Sequence, residues 1–412
     1  MKTNTGDEQM DKKKNGIPKL RFPGFTGAWE QYKLKNVLKE RNKQKIQSKE
    51  YPLVSFTVEK GVTPKTERYD REQLVVGDTK TKKYKTTELN DIVYNPANLK
   101  FGAIARNKYG KAVFSPIYVT FEVTESLALP GYIERLVTRT DFVKYALKYQ
   151  QGTVYERQSV SPKDLLSIKI VLPKIEEQKQ INKLFDNIDK TIALHQRKLD
   201  HLKEQKTGLL QKMFPKKGEV VPEVRFPGFT DAWEQRKVSH YLKKSSVPGS
   251  NGTVAKKLTV KLWGKGIVEK ETIMKGSSNT KYYKRNFGQL MYGKLDFLHG
   301  AFGIVPRKLD GYESTADSPA FDVVVGDKRF LLETFLRREF YLRNGERANG
   351  SRKAKRVHED VFLNMIISAP KIEEQERIAD FLQQCDTLIA LHQRKLDHLQ
   401  LLKKGLLQQM FV

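Results

Sequence analysis

The sequence predicts an α+β fold in which two globular α/β domains are joined by two long antiparallel coiled-coil helices, the whole built as a pseudo-twofold internal duplication. Three observations predict it. A short motif occurs twice, a long segment with a heptad pattern occurs twice, and the intervals between them read as mixed strand and helix. At 412 residues the chain is also too long for one ordinary core, since domains run to roughly 100 to 200 residues.

The short motif is RFPGFTGAWEQ at Arg21–Gln31 and RFPGFTDAWEQ at Arg225–Gln235, differing at one position in eleven. The long segment is Lys174–Phe214 against Lys371–Phe411, identical at 25 of 41 positions. Between the repeats lie two stretches, about 31–173 and 235–370, with little sequence in common. Faint echoes survive in Tyr94 with Tyr292, Gly102-Ala103 with Gly300-Ala301, and Pro173 with Pro370. The constant parts read as shared scaffold and docking surface, and the variable parts as surfaces that each meet something different. The expected division is a disordered lead-in at 1–16, a globular domain at 17–173, a helix at 174–214, a second globular domain at 215–370 and a second helix at 371–412.

Each long segment opens as a helix should, with a proline just before it and Glu176, Glu177, Glu373 and Glu374 in the first turn. In the first copy Ile181, Phe185, Ile188, Ile192, His195, Leu199, Leu202, Lys206, Leu209 and Met213 follow the 4-3 alternation of a coiled-coil seam. The second copy runs in register with Ile378, Leu382, Cys385, Ile389, His392, Leu396, Leu399, Lys403, Leu406 and Met410. The polar intrusions at His195, His392, Lys206 and Lys403 read as register-setting contacts rather than metal ligands, and Cys385, standing where Ile188 stands, as a core residue. Antiparallel pairing follows from connectivity and sets His195 opposite Leu396 and Leu199 opposite His392. A helix of about 40 residues is roughly 60 Å long, so the pair reads as a ruler holding two domains apart. The C-terminal QQMFV parallels the QKMFP that leads into the second RFPGF, which predicts that the two chain ends lie near each other.

Within the variable stretches, strand-like runs fall at Tyr51–Val58, Asp91–Tyr94, Ala112–Val123, Leu258–Leu262 and Ala320–Val325, with more helical stretches at Arg139–Tyr149 and Arg329–Arg343. Composition names the partner class. Lys and Arg number 76 against 48 Asp and Glu, a formal net charge of +28. Double-stranded DNA is the expected ligand, because basic side chains that neutralise phosphates release condensed counterions. No apolar run is long enough to span a membrane, and no short basic amphipathic anchor stands apart, so lipid is not expected. The 1–16 stretch has no apolar segment of a signal peptide, and a single cysteine fits a reducing cytoplasm.

Candidate DNA contacts lie in basic loops with aromatic or small neighbours: Lys80, Lys82, Lys83 and Lys85; Arg106, Lys108 and Lys111; and Lys281, Tyr282, Tyr283, Lys284 and Arg285. The densest run, 343–356, supplies Arg343, Arg347, Arg352, Lys353, Lys355 and Arg356, and its counterpart at 150–161 supplies Gln151, Tyr155, Arg157 and Gln158. Arg and Gln are the usual bidentate readers of guanine and adenine, although most contacts of such a set fall on phosphate. Catalysis is not expected. The chain lacks a phosphate loop and a dinucleotide fingerprint, and its histidines and cysteine form no metal constellation. Asn95-Pro96-Ala97-Asn98 reads as a turn. The nuclease-like spacing of Asp164, Glu177 and Lys179 is not kept in the duplicate, where the third residue is Glu376.

With FPGF followed by Trp-Glu twice, PKIEEQ opening each long helix, and the duplication itself, the chain resembles the specificity subunits of type I restriction-modification enzymes over nearly its whole length. The resemblance implies two target recognition domains, each reading half of a split DNA sequence. It also implies partners: two methyltransferase subunits that methylate adenine, and restriction subunits, around one copy of this chain. The cofactors, S-adenosylmethionine, ATP and Mg²⁺, would belong to those partners, with none in this chain. Phe22, Phe25, Trp29, Phe226, Phe229 and Trp233 are then candidate docking residues, or pack the domains against the helix ends. A sequence-independent architectural DNA-binding protein is the alternative, for which two divergent domains would be unnecessary.

Overall fold

The computed structural model describes residues 16–64, 82–152, 158–271, 277–345 and 356–412. The chain divides into two units, Met1–Gln196 with Arg394–Val412, and Arg197–Gln393. Each of the two long helices therefore gives one half to each unit.

The first unit carries strands β1 (Glu30–Lys33), β2 (Leu38–Glu40), β3 (Gln44–Ile46), β4 (Val54–Thr57), β5 (Gly61–Pro64), β6 (Lys83–Thr87), β7 (Ile92–Tyr94), β8 (Ile104–Arg106), β9 (Ala112–Phe114), β10 (Val119–Val123) and β11 (Lys169–Leu172). Its short helices are α1 (Leu34–Val37), α2 (Pro130–Val137), α3 (Thr140–Ala146) and α4 (Pro162–Ser167), and the long helix α5 (Ile175–Lys212) follows. The strands form β1-β11, β2-β10-β7-β8, β3-β6-β9 and β4-β5. The strand-like run at Ala112–Val123 is two strands in two different sheets. Pro116 cannot donate to a ladder, and a turn closed by Tyr118 N–H donating to Ser115 O at 3.2 Å redirects the chain.

The second unit repeats this plan with β12 (Glu234–Lys237), β13 (Leu242–Ser245), β14 (Pro248–Asn251), β15 (Leu258–Val260), β16 (Ile267–Glu269), β17 (Lys281–Lys284), β18 (Leu290–Tyr292), β19 (Phe302–Ile304), β20 (Glu313–Ser314), β21 (Ala320–Val323) and β22 (Ile366–Ala369). These form β12-β22, β13-β21-β18-β19, β14-β17-β20 and β15-β16, matching the first unit strand for strand. Helices α6 (Val238–Tyr241), α7 (Lys328–Leu336), α8 (Arg338–Gly345) and α9 (Glu359–Leu363) precede the second long helix, α10 (Ile372–Met410).

Each core gathers around one repeated tryptophan. In the first unit Trp29 sits edge-on to Tyr132 at 6.3 Å and to Phe411 at 6.5 Å. In the second Trp233 sits edge-on to Phe214 and to Phe330, both at 5.5 Å. Phe411 lies just past the end of α10 and Phe214 just past the end of α5, so a residue near the C-terminus fills in one unit the place that a mid-chain residue fills in the other. The backbone repeats the correspondence. Leu20 N–H donates to Gln409 O as Val224 N–H donates to Lys212 O, each at 3.0 Å. The two ends of the described chain thus meet in one core.

The repeated motifs have a structural job. Arg21 forks onto Glu177 at 2.7 and 2.8 Å, and Arg225 onto Glu374 at 2.7 and 2.7 Å, with each carboxylate 1% exposed. Gln178 donates to Pro173 O and accepts from Leu129 N–H, and Gln375 donates to Pro370 O and accepts from Asp327 N–H. In PKIEEQ the second glutamate therefore clamps the arginine before FPGF, and the glutamine seals the junction between strand and helix. Both are buried, unlike the exposed Glu176 and Glu373.

In each unit the long helices run antiparallel. In the first, Phe185 meets Phe411 at 6.3 Å and Asp189 meets Lys403 at 2.5 Å, so ascending numbers on α5 meet descending numbers on α10. In the second, Lys206 meets Asp386 at 2.8 Å, while Ile378 and Leu382 share a core with Met213 and Leu209. Every seam position named from the heptads is buried or half-buried. The lysines intrude on the seam because each pairs with an aspartate of the facing helix. Cys385 is half-buried, and burial raises its thiol pKa.

Candidate nucleic-acid interface

The candidate contacts fall into three groups. Lys82 and Lys83 are exposed at the start of β6, and Lys281 and Lys284 are exposed on β17, the equivalent strand. Lys108 and Lys111 reach solvent, tethered to Glu134 at 2.7 Å and Glu50 at 2.5 Å. Gln151, Gln158 and Arg343 are exposed, while Arg356 is half-buried and lies 3.4 Å from Asp317. Tyr282 and Tyr283 are half-buried, with Lys257 5.6 Å from the first ring. Lys80, Tyr155, Arg157, Arg347, Arg352, Lys353 and Lys355 lie outside the described residues.

Others are turned inward. Lys85 is 7% exposed and its ammonium pairs with Glu40 at 3.0 Å, in the central strand of its sheet, where every residue from Tyr84 to Thr87 is buried. Arg285 is 1% exposed. Its guanidinium donates to Ser314 Oγ at 2.7 Å and to the carbonyls of Ser245 and Ser318, each at 3.3 Å, and burial lowers its pKa to about 10. Neither is placed to meet DNA. Arg106 is mostly buried and is held by Glu134 and Asn90. Of the candidate docking residues, Trp29 and Trp233 are core, 6% and 2% exposed. Phe22 and Phe226 pack partly against the same cores, and Phe25 and Phe229 are half-buried. In the second unit Phe226, Pro227, Gly228, Phe229 and Arg377 line a hollow of about 370 Å³.

Sequence reading passed over Lys43 and Lys45. Both are exposed, and Lys45 Nζ stands 3.7 Å over the Tyr51 ring, which Lys111 approaches from 5.8 Å. The signal was the alternation of basic and polar residues in RNKQKIQSKE. One hollow in the first unit is the wrong chemistry for phosphate. It holds about 530 Å³ and is lined by Glu88, Asp91, Glu122 and Glu125 against Lys39 and Arg41. Among the described residues no cluster of three or more His, Cys, Asp or Glu is arranged to hold a metal ion, and no helix is long and apolar enough to cross a membrane.

The family model for the type I restriction modification DNA specificity domain matches residues 27–204 and 329–401, more than half of the chain. The chain belongs to that family. It is thereby a specificity subunit, which recognises DNA sequence within a type I restriction-modification complex and is not itself catalytic. The type I restriction enzyme MjaVIII specificity subunit of Methanocaldococcus jannaschii is 26% identical over 295 residues, covering 65% of this chain and 68% of the relative. The crystal structure of the type I restriction-modification S subunit from M. genitalium superposes with a TM-score of 0.59 at 10% identity, covering 96% of this chain and 99% of that one. A chain from a structural study of complex assembly and conformational transition in a type I system matches at a TM-score of 0.50 and 16% identity, with 96% and 99% covered. At such identities the solved specificity subunits share the fold.

Proposed function

We propose that this specificity subunit reads a split DNA target, one half with each unit, through residues 17–173 and 215–370 as target recognition domains. The helical segments 174–214 and 371–412 serve as the spacer that sets the gap between half-sites. The observation that carries this reading is the pairing of identical strand order with unlike sequence: one scaffold twice over, bearing two different surfaces. Lys82, Lys83, Lys108 and Lys111 in one unit, with Lys281, Lys284 and Arg343 in the other, supply exposed positive charge toward phosphate. One copy of the chain recruits two methyltransferase subunits for adenine methylation, and restriction subunits for cleavage of unmodified DNA, in the cytoplasm. The near-equivalent FPGF segments are the surfaces best suited to hold two copies of the same partner.

Competition binding tests the reading. The chain, assembled with its methyltransferase partners, should prefer the duplex found by adenine-methylation mapping over scrambled duplexes of equal length and composition. Equal affinity for both would support the architectural alternative instead. Inserting one heptad at the same level of both long helices should change the tolerated gap, and an unchanged gap would reject the spacer role.

A further inference from the structure

Both units build the same corner, where a two-stranded hairpin meets a 3-10 turn that ends in a left-handed glycine. In the first unit the hairpin is β4-β5 and the turn is Pro96–Phe101, closed by Gly102 at φ 80. In the second the hairpin is β15-β16 and the turn is Phe297–His299, closed by Gly300 at φ 59. The hairpin tip touches the turn in each. Val58 lies within 3.9 Å of where a Cβ on Gly102 would stand, and Trp263 and Gly264 N–H donate to the carbonyls of His299 and Gly300 at 2.8 and 2.9 Å.

Each corner exposes one large aromatic ring, taken from a different element. The first unit offers Phe101 of the turn, 64% exposed, beside Val58 at 50%. The second offers Trp263 of the hairpin, 57% exposed, with the His299 ring edge-on at 5.5 Å. Trp263 holds φ 58, a left-handed conformation that is a genuine outlier for a bulky side chain. Glycines stand at 264 and 266, yet tryptophan occupies 263, so the ring is kept outward against a backbone cost. Exposed lysines accompany both rings: Lys100 Nζ stands 5.1 Å over Phe101, with Lys60 two residues after Val58 in the hairpin, and Lys261 and Lys265 flank Trp263 in sequence, against the exposed acids Glu59 and Asp296.

The corners also adjoin the segments that the sequence marks for base reading. Val160 N–H, at the end of the 150–161 segment, donates to Pro96 O, where the first turn begins. In the second unit Gly345, at the start of the 343–356 run, packs directly against Leu298 of the turn.

We propose that Phe101 and Trp263 are base-contacting wedges, each pressing an aromatic face against a base step of its own half-site while the flanking lysines hold phosphate. Apolar side chains on architectural DNA-binding proteins act in this way, and stacking of a base on an aromatic ring is worth roughly ten-fold or more in affinity. DNA rather than a protein subunit is the occupant because two copies of one methyltransferase need like surfaces, and these corners differ in ring and in supporting element. The inference rests on the split-target reading proposed above.

The test uses the chain assembled with its methyltransferase partners and the duplex identified by methylation mapping. Trp263→Ala and Phe101→Ala should each weaken binding to the target about ten-fold or more, with the slope of affinity against salt unchanged, since no phosphate contact is lost. Trp263→Gly separates fold from contact: glycine accepts φ 58, so the melting temperature should hold or rise while affinity still falls. With Trp29 and Trp233 buried, the difference in acrylamide quenching between the wild-type and Trp263→Ala assemblies reports on Trp263. The target should protect it, and scrambling the second half-site alone should abolish that protection. Unchanged affinity in the variants, or loss of the methyltransferase subunits in place of DNA affinity, would overturn the wedge. Equal wild-type affinity for target and scrambled duplex would instead overturn the split-target reading, and the wedge with it.

Discussion

The two units solve one packing problem with a buried arginine placed on different strands. Strand register fixes the correspondence without reference to sequence. Arg41, whose N–H donates to Thr120 O, stands where Ser245 pairs with Ala320, and Thr87 of β6 stands where Arg285 follows β17. In the first unit Arg41 forks onto Asp91 at 2.8 and 3.2 Å, and Thr87 Oγ1 sits 3.4 Å from the same carboxylate. In the second the guanidinium comes from Arg285 and meets only neutral oxygens, with Gln289 in the place of Asp91. A scaffold can thus keep its strand order while its interior chemistry is rewritten, provided the exchange is compensated within the unit. The repeated clamps at Arg21-Glu177 and Arg225-Glu374 are the opposite case, held identical in both.

Two substitutions break this comparison at different depths. The largest effect is expected from Arg41→Met, which strands the Asp91 carboxylate and should destabilise the first unit by about 3 to 5 kcal/mol. Burial already pushes the Asp91 pKa up against the pull of Arg41. The penalty should therefore shrink as pH falls and Asp91 takes a proton. Arg285→Met leaves only neutral oxygens unpaired and should cost less, about 1 to 3 kcal/mol. Denaturant unfolding followed by hydrogen exchange in each unit reads the two separately, and equal costs would refute the distinction.

Arg21→Met and Arg225→Met sharpen the comparison from the constant side. Each leaves a 1% exposed glutamate without its partner, so each should cost about 3 kcal/mol, and the two should agree closely. Unequal losses by the same measurement would mean that the clamps are not equivalent.

The smallest effect is a pH dependence confined to the second unit. Burial pushes the Glu359 carboxyl up, but hydrogen bonds from Lys294 and Lys244 more than offset it and hold the pKa at about 2 against an ordinary 4.5. A carboxylate depressed on folding stabilises above its unfolded pKa and loses that contribution as pH falls. Glu359→Gln should thus cost about 1 to 2 kcal/mol above pH 4.5, after allowance for partial solvent screening, and progressively less between pH 4.5 and 2. A penalty independent of pH would contradict the assignment.

The repeat made the long helices and their seam legible, because a heptad pattern read twice in register leaves little freedom. The sheets were only half legible. Alternation located β4, β7 and β15, but nothing in Ala112–Val123 except Pro116 announced that its halves join different sheets. Site residues were the least legible, for a physical reason. Exposed and buried basic residues look alike in a basic run, and only the packing around them tells Lys83, at the open start of β6, from the buried Lys85, or Lys284 from the buried Arg285. Trp29 and Trp233 follow FPGF in what reads as an exposed loop. They became core only once the residues just past the ends of α10 and α5 brought Phe411 and Phe214 against them.

The central claim is that two unlike readers stand on one duplicated scaffold, and it can be tested by making the readers alike. Residues 235–370 are replaced with 31–173 in the chain assembled with its methyltransferase partners, and methylated adenines are mapped genome-wide. The account predicts a symmetric split target in which the first half-site occurs twice. Methylation that persists at the original asymmetric target would contradict it.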